Sequence, residues 1–313
     1  MKIAFVFPGQ GSQKVGMLQD LYKEFPVVKQ RFDEADDALG FSLTQLCFNG
    51  PDEDLMQTYN TQPAILTASV ACYEVLKEKG ILPDIVAGHS LGEYSALVAA
   101  GALAFTDAVQ IVRKRGQYMQ EAVPFGEGAM AAIIALAREK VVEICVAVSE
   151  ESGPVQAVNF NCPGQIVIAG AAKAVELAAE KMKEAGAKRA IMLHVSAPFH
   201  SVLMEPAALR LAAELDTITV HDAKIPVVAN ITGKIEQDGD AIKAALVKQA
   251  ASPVLWEDCV AGIVDFGAES FVEVGPGKVL TGFTKKINKT VHNENVEDLA
   301  SLSKTLEFFK GVR

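Results

Sequence analysis

The chain has 313 residues, a formal net charge of −10, 50% hydrophobic residues and 22% charged ones. That balance is too apolar for a disordered protein and ordinary for a globular one, and the length suggests two domains or one large domain with an insert. The acidic total argues against nucleic acid as a main partner, because phosphate binding needs a basic field.

The first segment, Met1-Lys2-Ile3-Ala4-Phe5-Val6-Phe7-Pro8-Gly9, carries one lysine and a short apolar run. That run is broken by Pro-Gly, so it reads as a buried strand over Ile3–Phe7 rather than a signal peptide. No apolar stretch approaches the roughly 20 residues that span a bilayer; the longest, Ala129 to Ala137, suits a core strand. Cys47, Cys72, Cys145, Cys162 and Cys259 are scattered, without zinc or redox spacing. They read as reduced, buried thiols of a cytoplasmic protein, and no structural metal is expected.

Apolar strands then alternate with longer amphipathic stretches, the α/β pattern. Thr61–Lys79 is predicted as a helix ending at Gly80, and Asp84–Ala87 as a buried strand. A helix is expected from Leu91 to about Ala100, and another over Thr106–Val123. From Ala129 the order changes. Strand Ala129–Ala135, helix Arg138–Ser149, strands Val155–Phe160 and Gln165–Ala169, helix Ala172–Ala185 and strand Arg189–Val195 make a β-α-β-β-α-β unit. A small ferredoxin-like inserted domain is therefore expected at 127–196, within a larger α/β body of 1–126 and 197–313. Ile225–Ala229 and Ser270–Val274 read as further buried strands of that body.

Gly88-His89-Ser90-Leu91-Gly92 matches G-x-S-x-G between a strand and a helix. This is the setting of a nucleophile elbow, in which a sharp turn exposes the serine hydroxyl. The helix start adds N–H groups and a positive partial charge, and an oxyanion could bond to the N–H of Leu91. A serine nucleophile needs a base, usually histidine. His89 sits inside the tight turn and should point elsewhere. His194 falls in a strand pattern and reads as a core residue. His221 and His292 lie in polar, exposed-looking segments. His200 lies where the small domain returns to the large one, and such junctions favour clefts. His194 and His200 do not form a zinc pattern.

At 100° per residue, Ala108, Val109, Ile111, Val112, Tyr118, Met119 and Ala122 share one face of the Thr106–Val123 helix. Arg115 falls among them. A buried guanidinium is costly without an anionic partner. The partner is either an internal Asp or Glu, or a substrate carboxylate held bidentately.

Phe7-Pro8-Gly9-Gln10-Gly11-Ser12-Gln13, Thr61-Gln62-Pro63-Ala64, Gly88-His89-Ser90-Leu91-Gly92-Glu93-Tyr94-Ser95-Ala96, Arg113-Lys114-Arg115-Gly116, Asn161-Cys162-Pro163-Gly164-Gln165, Phe199-His200-Ser201 and Glu273-Val274-Gly275-Pro276-Gly277 occur in this order. In these motifs the chain resembles the bacterial malonyl-CoA:acyl-carrier-protein transacylases along essentially its whole length. The resemblance implies a large α/β-hydrolase-like domain with a parallel sheet and a ferredoxin-like insert. It also implies Ser90 as the acyl carrier, His200 as its base and Arg115 as the grip on a malonyl carboxylate. The N–H groups of Gln10 and Leu91 would form the oxyanion hole. Gln249 would present its backbone carbonyl to His200 in place of a triad carboxylate.

The implied reaction passes malonyl from malonyl-CoA to Ser90, then to the phosphopantetheine thiol of acyl carrier protein, with no bound cofactor. It would supply extender units for fatty-acid synthesis. Phe199, bulky and next to His200, should disfavour methylmalonyl. The carrier protein is acidic, so docking would need a local positive patch. Lys181, Lys183, Lys188 and Arg189 form one candidate, and Lys285, Lys286 and Lys289 another. A membrane partner is not expected, and nothing in the sequence demands more than a monomer. Two rival readings remain. A serine hydrolase of acyl thioesters would share Ser90 and His200 but would not need Arg115. A non-catalytic carrier-binding module would have no reason to keep all three.

Overall fold

The computed structural model describes residues 1–193, 195 and 197–311. Its main sheet has six strands: β1 (Lys2–Phe7), β2 (Ile85–Gly88), β7 (Val227–Val228), β8 (Ile235–Glu236), β9 (Ala268–Val274) and β10 (His292–Val296). They lie in the order β10-β9-β1-β2-β7-β8. Every pair is parallel except the β7–β8 hairpin at one edge. The central strand explains why the sheet is covered on both faces. Ile3, Phe5 and Phe7 enter a core built on helices Thr58–Glu78 and Leu91–Ala99. Ala4 and Val6 enter another, around Trp256 and helix Trp256–Asp265. The period of two along a strand sorts these side chains, and burial on both faces accounts for a run with no polar member.

A second sheet holds β3 (Gly128–Ile134), β4 (Val155–Cys162), β5 (Gln165–Ala171) and β6 (Arg189–Met192), in the order β4-β5-β3-β6. All its pairs are antiparallel. One face, with Ala131, Ile133, Ile166 and Ile168, packs on helices Arg138–Ser152 and Ala172–Glu184. The other face carries Met130, Ala132, Val167 and Ala169. It meets Met119, Phe199 and Met204. This second sheet is thus apolar on both sides, and its outer face forms one wall of a seam with the parallel-sheet body.

The predicted elements are present, with ends shifted by a few residues. The expected strand Ile225–Ala229 is regular only over Val227–Val228. Pro226 has no N–H to donate to a ladder, which shortens it. The strand expected over Arg189–Val195 ends at Met192, and His194 lies outside the described residues. His292, read from the sequence as part of a polar, exposed-looking segment, is part-exposed and sits in β10. Its ring stacks on Phe308 at 3.6 Å between centroids, because helix Leu299–Gly311 covers that edge of the sheet. A strand as polar as His-Asn-Glu-Asn-Val escapes a hydrophobicity pattern. His221 is exposed, as expected. All five cysteines are free and buried. Among the described residues, no helix is long and apolar enough to cross a membrane. Nor do they include a group of three or more His, Cys, Asp or Glu able to hold a metal ion.

Candidate active site

Ser90 stands between β2 and helix Leu91–Ala99 with φ 52° and ψ −108°. That conformation is strained for a residue with a side chain and persists only where its surroundings fix it. The flanking glycines allow the approach. A Cβ on Gly88 would lie 1.9 Å from the Gly92 backbone, and one on Gly92 would lie 2.1 Å from the Phe7 carbonyl oxygen. Asn230, just beyond β7, straps the turn. Its Oδ1 accepts from the Ser90 N–H at 2.7 Å, and its Nδ2 donates to the Gly88 carbonyl at 2.7 Å.

His200 also has a positive φ, 63°, a region otherwise occupied among the described non-glycine residues by Ser90, Leu18 and Ala135. It is buried, with Nε2 2.7 Å from Ser90 Oγ and Nδ1 2.9 Å from the Gln249 carbonyl oxygen. A carbonyl can only accept, so Nδ1 carries the proton and the Nε2 lone pair faces the hydroxyl. The imidazole is oriented by a peptide carbonyl rather than a carboxylate. Burial, and then the charge of Arg115, push the His200 pKa down to about 3. The neutral, proton-accepting form therefore persists far below the usual imidazole range. The acid limb of kcat/KM, which reports the free enzyme, is expected well below pH 6. A limb centred near pH 6.5 would show that His200 titrates unperturbed.

Arg115 comes from helix Phe105–Glu121 and is almost fully buried. Its Nη1 donates to Gln62 Oε1 at 2.8 Å. Its Nη2 donates to Gln249 Oε1 at 2.9 Å and to Ser90 Oγ at 3.2 Å. The guanidinium carbon lies 5.5 Å from the Tyr94 ring centre. Its partners are thus neutral amides, a hydroxyl and a π face. The internal carboxylate left open by the sequence is present only at one remove: Glu93 Oε2 accepts from Gln249 Nε2 at 2.8 Å. A buried cation held by neutral groups, beside a reactive hydroxyl, is arranged to receive an anion.

Ser90, His200 and Arg115 share a cavity of about 130 Å³ with Gln10, Leu91, Gln62, Met119 and Phe199. A neighbouring hollow of about 250 Å³ shares Gln10, His89 and Asn159 with it and extends to Asn161, Val279, Leu280 and Phe283. His89 points away from the serine. Its Nε2 lies 2.8 Å from Asn161 Oδ1 and its ring faces Trp256. The structure thus gathers all six sequence-predicted site residues, Gln249 through both its main chain and its side chain. Sequence reasoning missed three partners. Gln62 and Glu93 stood inside recognised motifs without a role. Asn230 follows a two-residue strand in no recognised motif, so its contact with Ser90 had no local signal.

The chain matches the acyl transferase domain family over residues 4–306. It is 52% identical over 309 residues to the malonyl CoA-acyl carrier protein transacylase of Bacillus subtilis, covering 99% of this chain and 98% of the relative. It is 51% identical over 307 residues to the Escherichia coli (strain K12) protein of the same name, covering 98% and 99%. Among solved structures, an acyl carrier protein S-malonyltransferase from Vibrio cholerae superposes with a TM-score of 0.95 at 51% identity, over 97% of this chain and 100% of that one. A malonyl-transacylase in complex with a type II PKS acyl-carrier protein gives 0.96 at 51%, over 98% and 99%. With this sequence, this fold and this cavity, the chain belongs to the acyl transferase family, among the malonyl CoA-acyl carrier protein transacylases.

Proposed function

We propose that this protein moves the malonyl group of malonyl-CoA to the phosphopantetheine thiol of acyl carrier protein through a malonyl ester on Ser90. The observation that carries the reading is Arg115 Nη2 lying 3.2 Å from the Ser90 hydroxyl in one cavity. A malonyl group has its carboxylate and its thioester carbonyl separated by one methylene. A cation beside the nucleophile therefore holds the substrate at both ends.

In the first half-reaction Ser90 Oγ attacks the thioester carbonyl while His200 Nε2 takes its proton. The C–O bond forms, the oxyanion is received by the N–H groups of Gln10 and Leu91, and the C–S bond breaks. CoA leaves as the thiol, taking the proton from His200. In the second half, His200 accepts the proton of the phosphopantetheine thiol, sulfur attacks the ester carbonyl to form the C–S bond, the C–Oγ bond breaks, and Ser90 Oγ takes the proton back from His200. Nothing in either half calls on a bound cofactor. The Gln249 carbonyl keeps the imidazole in the accepting tautomer, and Phe199 on the cavity wall disfavours a branched extender such as methylmalonyl. Segment 127–196 serves as a ferredoxin-like insert in the body formed by 1–126 and 197–313. The order β4-β5-β3-β6 supports this, because in local numbering it is 2-3-1-4. The product would feed fatty-acid synthesis, and the enzyme would act as a cytoplasmic monomer.

Of the two lysine clusters that could steer an acidic carrier, Lys285 and Lys286 stand on helix Val279–Ile287, which walls the outer hollow. Lys181 of the other cluster is already paired with Glu151.

Mass spectrometry of the protein after brief exposure to malonyl-CoA is expected to show a malonyl adduct on Ser90. Added holo-carrier protein should discharge it to malonyl-carrier protein. An adduct released only to water would make the protein a hydrolase, and absence of any adduct would remove the covalent mechanism.

A further inference from the structure

Glu93 is a buried carboxylate, 3% exposed, that no step above uses. Such a group is expensive to bury without a cation, and the hydrogen bonds it accepts from Gln249 and Asn230 come from neutral donors. One oxygen, Oε2, accepts from Gln249 Nε2 at 2.8 Å and from the Asn230 N–H at 3.0 Å. The other hydrogen of Gln249 Nε2 goes to the Ser90 carbonyl at 3.0 Å. Both of its amide hydrogens are therefore directed at oxygens. That leaves Gln249 Oε1 facing Arg115 Nη2. In the reversed orientation an amide NH2 would confront the guanidinium, donor against donor, while Oε1 would confront two oxygen acceptors.

We infer that Glu93 is a positioning residue for acyl selection: it locks the Gln249 side-chain amide so that its oxygen holds Arg115 in place for a substrate carboxylate. The inference rests on the proposed role of Arg115. It does not depend on the charge of Glu93. Burial pushes its pKa up to about 7, but Oε2 faces only N–H donors, so a proton, when present, resides on Oε1 and Oε2 accepts in either state. Nor does the elbow rely on Glu93 alone, since the Asn230 side chain bonds directly to Ser90 and Gly88. Loss of Glu93 should therefore act on Arg115 more than on the nucleophile.

The test compares kcat/KM for malonyl-CoA and acetyl-CoA in the full-length protein with Glu93→Leu, Glu93→Gln, Gln249→Met and the Glu93→Leu/Gln249→Met double variant. Gln249→Met keeps the main-chain carbonyl that His200 uses. Glu93→Leu and Gln249→Met should each lower the malonyl value by about ten- to a hundredfold and the acetyl value far less. Glu93→Gln, which keeps an acceptor oxygen, should restore the malonyl preference. The double variant should lose no more than the worse single one, because both changes break one link. Equal losses for the two substrates, or additive losses in the double variant, would overturn the inference. If Glu93→Leu does not fold, an unchanged malonyl preference in Gln249→Met overturns it alone. Arg115→Ala, run in parallel, separates the two levels. A selective malonyl loss there without one in the Glu93 and Gln249 variants sinks this inference and leaves the proposed function standing. No selectivity in Arg115→Ala sinks both.

Discussion

His200→Ala is expected to slow malonyl loading of Ser90 by about a thousandfold, the scale of losing a positioned general base. Ser90 Oγ would keep one polar neighbour from the present set, Arg115 Nη2, a donor that cannot accept the hydroxyl proton. No other side chain is placed to substitute. His89 is turned toward Asn161 and Trp256, and Glu93 toward Gln249 and Asn230. The measurement is the single-turnover rate of adduct formation followed by mass spectrometry, with a thermal melt as the control for folding. A loss below about tenfold in a folded variant would show that the proton leaves Ser90 by another route.

Arg115→Ala is expected to reduce kcat/KM for malonyl-CoA by about a thousandfold. Two charge-assisted hydrogen bonds to the substrate carboxylate, at about 2 kcal/mol each, correspond to that factor. Acetyl-CoA has no carboxylate, so its transfer should fall little or rise. Arg115→Lys should recover only part of the malonyl activity, because an ammonium cannot hold the carboxylate bidentately while still reaching Gln62 and Gln249. The pH profile provides an independent readout. The Arg115 charge helps to depress the His200 pKa, so its removal lets that value rise and should carry the acid limb to higher pH. Equal losses with both substrates and an unmoved limb would make Arg115 a structural residue.

Much of the site could be read from local sequence because its parts are set by local geometry. A serine between two glycines at a strand-to-helix junction has little freedom in where its hydroxyl points. An arginine among apolar residues at helical spacing must be buried. His200 was harder. Its assignment rested on its place at a domain junction and on a family motif, and no spacing alone distinguished it from His292. What separates the two in space is that one enters the seam between the sheets and the other is capped by Phe308. Gln62, Glu93 and Asn230 could not be assigned roles, because each acts through a partner distant in the chain. Glu93 and Gln249 are separated by 156 positions, and Ser90 and Asn230 by 140.

The α/β alternation, the antiparallel unit in the middle of the chain, the elbow at Ser90 and the burial of Arg115 were all legible in the residues alone. These follow from periodicity and from the backbone freedom of glycine, both short-range properties. What Arg115 is buried against depends on how distant helices pack. Its neighbours arrive from helices that begin at Thr58, Leu91 and Gly239. Packing around the parallel sheet brings them together and leaves the guanidinium among neutral groups beside a nucleophile, a relation that no stretch of chain contains by itself.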